Sequence, residues 1–335
     1  MAKDKPLASA GEYESRGTDY AKKGEYDLAS ADYSEAITLD PNNPVLYWKR
    51  GVVHNKNEDA DLAIQDFTQA IRLEPSYWVA YIFRGIAYND KKEFDRAIAD
   101  FSEAIRIHPK NAIAYFRRGD TYSNKGDVDN AIADFDRALW LNSHLIVAYC
   151  SRGWEHSIKG NVEQAIVDLD HALWLDPNCW TAYMYRGKVY TEQDDFDRAI
   201  ADFSHAIRVD PTKEIAFFKR GDAYCCKKEF DRAIADFTEA LRLNPYYLAA
   251  YYSRGNAYRD LGKIEQAIAD YSASIRINPN YTEAYYNRGN ALFQKMDYDT
   301  AIEDFKSVQR LNPGLFIMDV GKKAKPSGKK KAKED

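Results

Sequence analysis

The chain has 335 residues, 45% hydrophobic and 30% charged, with 25 Tyr and a formal net charge of −5 at pH 7. That composition is globular, and no apolar run approaches the ~20 residues of a membrane helix or forms the apolar stretch of a signal peptide near the start. Residues 1–9 carry +1 and residues 316–335 carry +4, which leaves −10 on residues 10–315; an acidic body is not that of a general nucleic-acid binder, which displays a basic stripe along its fold.

Residues 1–9 read as a flexible leader. From residue 10 onward the chain repeats every 34 residues. Gly recurs at 17, 51, 85, 119, 153, 187, 221, 255 and 289. Twelve residues after each Gly stands an Ala (Ala29, Ala63, Ala97 and so on to Ala301), and sixteen after stands an aromatic or Leu, from Tyr33 and Phe67 to Phe305. Four before stands Tyr or Phe, as at Tyr47, Tyr81 and Phe217, and Pro closes every unit but the fourth, where Ser143 replaces it.

Each unit is expected to be two helices. Tyr81, Gly85 and Tyr88 have i, i+4, i+7 spacing, one face of a first helix, and Ala97 to Ile105 continue as a second. A turn such as Lys125-Gly126-Asp127 joins them. An acid (Asp27, Asp61, Asp95 and their equivalents) opens each second helix, where it suits the free N–H groups and the positive end of the dipole. Gly and Ala on facing helices let the two backbones approach.

This pattern resembles the tetratricopeptide repeat (TPR) family over units 10–43, 44–77, 78–111, 112–145, 146–179, 180–213, 214–247, 248–281 and 282–315. The resemblance implies an all-α fold, an α-solenoid of nine helix-turn-helix units in a right-handed superhelix completing roughly one turn. Departures are local: His54, His156 and Leu292 replace a repeat Tyr, and Ser274 and Val308 replace a late Ala.

A second signature runs through all units. Arg precedes each repeat Gly (Arg16, Arg50, Arg84, Arg118, Arg152, Arg186, Arg220, Arg254, Arg288), and Asp precedes each second-helix aromatic or Leu (Asp32 to Asp304). Nine Arg could form a phosphate ladder, but nine matched Asp point to ion pairs, within a unit or across to a neighbour.

The resemblance further implies that first helices line a concave groove, at positions three before, one after, and four or five after the Gly. The first of these columns includes Trp48, Ile82, Phe116, Cys150, Met184, Phe218, Tyr252 and Tyr286, which reads as a row of apolar anchors for a partner. Val45, Val79, Ile113, Val147 and Ile215 run beside it. Trp154 adds to this apolar surface, and polar positions that would select the partner include Asn55, Asn89, Asp120, Lys188, Asp222, Asn256 and Asn290. Relatives that grip chaperone tails use a Lys/Asn pattern of which only Asn256 and Asn287 survive, so that ligand is not expected.

No catalytic or nucleotide motif is present, and the four Cys have no zinc spacing, so the expectation is a non-enzyme in a reducing, cytoplasmic setting with no cofactor, metal or small-molecule substrate. Partners are expected to be protein or peptide segments, with self-association through the terminal repeats as a further possibility. Residues 315–320 are apolar and suggest a cap over the ninth unit. Residues 321–335, rich in Lys, read as a disordered tail whose alternative role is recruitment to nucleic acid or an anionic membrane.

Overall fold

A computed structural model describes residues 9–314, and these form eighteen α-helices and no strand. The chain divides into two compact units, residues 1–177 and 178–335. In the first lie α1 (Ala10–Lys23), α2 (Tyr26–Leu39), α3 (Pro44–Lys56), α4 (Ala60–Leu73), α5 (Trp78–Asp90), α6 (Phe94–Ile107), α7 (Ala112–Lys125), α8 (Val128–Leu141), α9 (Ile146–Ile158) and α10 (Val162–Leu175). In the second lie α11 (Trp180–Glu192), α12 (Phe196–Val209), α13 (Glu214–Cys226), α14 (Phe230–Leu243), α15 (Leu248–Asp260), α16 (Ile264–Ile277), α17 (Thr282–Gln294) and α18 (Tyr298–Leu311). Odd-numbered helices are the first of each repeat and even-numbered ones the second. Within each unit a helix packs on its repeat partner and on the nearest helices of the next repeat, the connectivity of an α-solenoid.

The turn inside every repeat passes through a left-handed residue seven after the repeat Gly. It is Gly at 24, 126, 160 and 262, but Glu58, Lys92, Asp194, Lys228 and Met296 also adopt φ of 57–64° there. The turn geometry is therefore imposed by the packed helices even where no Gly relieves it. The expected acid in the first turn of the second helix is present, but it does not cap. Where a side chain caps, it is the Asp two residues earlier: Asp59, Asp127, Asp195 and Asp297 accept from the backbone. The first-turn acid instead receives a bond from a residue at the end of the following first helix, as in Lys91–Asp61, Lys125–Asp95 (2.7 Å), Lys159–Asp129 (2.6 Å), Lys227–Asp197 and Asn57–Asp27 (3.1 Å).

The repeat Gly makes room for a ring. A Cβ on Gly51, Gly187 or Gly221 would stand 2.7 Å from the edge of Phe67, Phe203 or Phe237, the aromatic sixteen residues on. Those rings and the adjoining Ala63, Ala199 and Ala233 are fully or almost fully buried and form the core of each helix pair.

The Arg and Asp columns join inside each repeat. In all nine, the Arg donates from Nε and Nη2 to the two carboxylate oxygens of the Asp sixteen residues later, at 2.5–2.9 Å. The Asp are buried, and each guanidinium also lies 5.5–5.9 Å from the ring of the aromatic three residues before it. The remaining Nη1 reaches back one repeat. Arg50, Arg84, Arg118, Arg220, Arg254 and Arg288 donate to Ser34, Thr68, Ser102, Ser204, Thr238 and Ser272, and Arg152 to Asp136. One side chain thus ties a repeat internally and to its predecessor. The bidentate bond to Asp134 raises the Arg118 pKa further, so the guanidinium is held charged.

Candidate protein-binding face

The first helices carry the expected partner-facing columns, and burial sorts them. In the column three before the Gly, Ile82, Phe116, Cys150, Met184 and Phe218 are buried, Trp48 and Tyr252 are half-buried, and Tyr286 in the ninth repeat is exposed. The expectation of a continuous row of anchors is therefore corrected for Ile82, Phe116, Met184 and Phe218. Their surface is consumed within the chain. Phe116 lies 5.8 Å from Phe135, the core ring of its own repeat, and Phe218 lies 5.7 Å from Phe237 and 4.9 Å from Tyr247. Tyr247 stands immediately before the next first helix. Trp48 meets Tyr77, and Tyr252 meets Tyr281, in the same way. At Trp48, Phe218 and Tyr252 the ring that folds over the column is the last residue of the same repeat, in the connection to the next first helix.

Accessible apolar surface lies instead six before the Gly, where Ile113 is 43% and Val147 50% exposed, with Val45, Val79 and Ile215 half-buried in the same column. Trp154, one after its Gly, is also half-buried.

The polar positions are accessible to different degrees. Asn55, Asn89, Asp120, Lys188, Asp222, Asn256 and Asn290 are half-buried, and Lys56, Asp90, Asn124, Glu192 and Gln294 are exposed. Lys188 pairs with Glu192 at 3.8 Å. Asn256 is committed inward. Its Oδ1 accepts from the Tyr271 hydroxyl at 2.9 Å and from Asn287 Nδ2 at 3.1 Å, while Asn287 also donates to the Tyr252 hydroxyl. The two Asn that match the chaperone-tail pattern are thus bonded to each other.

In residues 178–335 these helices enclose a cleft of about 290 Å³ lined by Asp222, Cys225, Cys226, Ser253, Asn256 and Asp260, among others. Burial pushes the Asp222 carboxyl up to about 6, against the opposing pull of Lys219 and of a bond from Ser253. Burial also pushes the Cys225 thiol up to about 12, the opposite of an activated nucleophile.

In residues 1–177 the face holds a carboxylate that sequence reasoning missed. Glu155 is 1% exposed, takes the Ser123 hydroxyl on Oε1, and leaves Oε2 without a partner. Burial raises its pKa, and Asp120 nearby raises it further. The signal was present in the alignment of repeats. Seven of the other eight carry Val53, Ala87, Thr121, Val189, Ala223, Ala257 or Ala291 at this position.

Among the described residues no group of three or more His, Cys, Asp or Glu is placed to hold a metal, and no helix is long and apolar enough to cross a membrane. The expectations for residues 315–320 and the lysine-rich stretch to 335 lie outside the described residues.

Family models described as TPR repeat match residues 17–58, 85–126, 187–226, 221–262 and 255–296, and models described as tetratricopeptide repeat match 45–77, 112–145 and 282–315. The chain belongs to the tetratricopeptide repeat family. The stretch from 146 to 186 has no match, and there Leu169 replaces the core ring and Trp154, Glu155 and His156 stand together. No curated protein matches the chain. Among solved structures, a tetratricopeptide repeat protein from Parabacteroides merdae is 20% identical, covering 74% of this chain and 98% of its own, with a TM-score of 0.60. The APC/C hetero-tetramer Cut9–Hcn1 is 15% identical, covering 91% and 74%, with a TM-score of 0.55. MamA is 29% identical, covering 48% and 94%, with a TM-score of 0.47.

Proposed function

We propose that this protein is a non-catalytic scaffold that binds segments of partner proteins along its first-helix face, in a reducing compartment such as the cytoplasm. One observation carries the reading. The frame residues are the same in every repeat, whereas the accessible positions on first helices differ from one repeat to the next. A repeated Arg–Asp frame with a varied face suits recognition of a sequence rather than a single chemical event. Within that reading, Ile113, Val147, Trp154 and Tyr286 supply apolar contact, and Asn55, Asn89, Asp120, Lys188, Asp222 and Asn290 select. Asn256, Trp48 and Tyr252 hold the wall on which a partner lies.

The test is purification of the tagged full chain from its source cell beside the variant Ile113→Glu/Val147→Glu. Both positions are exposed, so the fold is retained. The reading predicts that co-purifying proteins fall at least tenfold in the variant. Recovery of the same proteins in the same amounts, or their loss only when residues 321–335 are deleted, would contradict it.

A further inference from the structure

Glu155 on α9 has no role in the repeat frame. It is 1% exposed, at a position where seven other repeats carry Val, Ala or Thr. Its Oε1 takes the Ser123 hydroxyl, and its Oε2 has no partner. A buried carboxylate oxygen without a donor is costly, and one hydroxyl on the other oxygen does not offset that cost. Elsewhere the chain treats a buried carboxylate differently. Asp134, for example, receives Arg118 on both oxygens.

Two more carboxylates stand beside Glu155, on successive first helices of residues 1–177. Asp120 on α7 is near enough to raise the Glu155 pKa, and Asp90, the last residue of α5, raises that of Asp120 in turn. Burial is the largest cause of the upward shift in all three. None of the three makes an ion pair with a described residue. One cation lies among them. Arg117 on α7 pulls Asp90 and Asp120 down, yet it is ion-paired with neither. Its guanidinium lies 5.7 Å from the Phe116 ring, and its buried Nε has no partner. Three carboxylates against one guanidinium leave this seam short of positive charge.

The shortage defines the occupant. Among the described residues no group of His, Cys, Asp or Glu is placed to hold a metal. A water molecule would donate to Oε2 but leave the charge unbalanced. A phosphate or an acidic segment would be repelled. An ammonium is a compact, strongly hydrated point charge. A guanidinium is more weakly hydrated and presents five N–H donors in a plane, so it can meet carboxylates on two helices at once. Ser123 and Asp120, which stand against Glu155, are half-buried on the face where partner segments are placed above, and they mark the way in.

We propose that Glu155, Asp120 and Asp90 form an arginine-recognition subsite on the first-helix face, where a guanidinium of the bound partner segment donates to Glu155 Oε2 and to Asp120. The occupant arrives only if partner segments lie along the first helices, so this subsite rests on the function proposed above.

The test follows thermal unfolding of the full chain with N-acetyl-arginine amide, and with the N-acetyl amides of citrulline and lysine at the same concentration. Citrulline keeps the shape of arginine and lacks its charge. For the wild type the expected midpoint is about 2 °C or more higher with the arginine compound than with the citrulline compound. Glu155→Gln is expected to start from a higher midpoint and to lose that difference, and Asp120→Asn to lose about half of it or more. The same difference in the wild type and in Glu155→Gln would overturn the proposal, as would no difference in the wild type. An equal rise with the lysine compound would overturn the choice of a guanidinium. Each of these failures leaves the first-helix face standing if Ile113→Glu/Val147→Glu still loses its partners. Retention of those partners, with the arginine difference intact, would instead remove the proposed function.

Discussion

Arg118 has three partners: Asp134, through two bonds, Ser102 in the repeat before, and the Tyr115 ring. Asp134 is only 6% exposed. Removing one member strands the other, so Asp134→Asn and Arg118→Met each cost about 3 kcal/mol in denaturant unfolding of the full chain. A loss below about 0.5 kcal/mol at both positions would mean that the pair behaves as an exposed one. Glu155 is the opposite case, a buried carboxylate with an unfilled oxygen. Its folded pKa is raised above the usual value, so the folded state binds a proton more tightly than the unfolded chain. The charged form therefore penalises folding at neutral pH, and the penalty fades as pH falls through the raised pKa toward about 4.5. Glu155→Gln is predicted to raise the unfolding midpoint at pH 7, with a gain that shrinks on acidification. A pH-independent difference would contradict the assignment. The Arg and Asp columns were legible because both residues recur in fixed register. Their third link was not. The Ser/Thr column at 34, 68, 102, 204, 238 and 272 is less regular, broken by Asp136, Asp170 and Lys306, and nothing in a hydroxyl's identity names its donor one repeat away.

At the scale of a helix pair, two glycine columns act in contrary senses. The repeat Gly at 187 faces the Phe203 ring at 2.7 Å for an added Cβ. Gly187→Ala gains up to about 1 kcal/mol of helix propensity and loses more to overpacking, of the order of 1–3 kcal/mol, so the net change in unfolding free energy is destabilising. At the turn, Lys92 holds φ of 61° where other repeats use Gly. Lys92→Gly removes a left-handed penalty of about 1–2 kcal/mol against an entropic cost below about 1 kcal/mol, and is expected to stabilise slightly. A lower midpoint for Lys92→Gly would show that the turn is not strained. The helix pairs themselves were readable from period and punctuation. Depth was not. Periodicity places Phe116 and Phe218 on one face of a first helix, but the ring that covers Phe218 is Tyr247, in the connection to the next repeat, and a helical wheel contains no information about it. The first-turn acids were misassigned for a related reason. Their partners, such as Lys125 for Asp95, belong to the following repeat.

Across the molecule, the frame is local: each repeat bonds to its own residues and to its neighbours through contacts that recur every 34 residues. An internal repeat is then dispensable as a whole. Deleting residues 214–247 brings Ser204 sixteen residues before Arg254, the place Thr238 now holds. The shortened chain is predicted to fold with undiminished helicity per residue in circular dichroism, whereas a deletion half a repeat out of register is predicted to unfold the surrounding helices. Such a frame leaves the first-helix positions free to vary, and the proposed function depends on that division. The most direct measurement places a photo-crosslinking residue at Asn124 or Asn290 on first helices and, for comparison, at Arg242 on a second helix, in the full chain within its source cell. The account predicts discrete crosslinked partners from Asn124 or Asn290 and none of them from Arg242. The same partners captured from Arg242, with none from the first-helix positions, would contradict it.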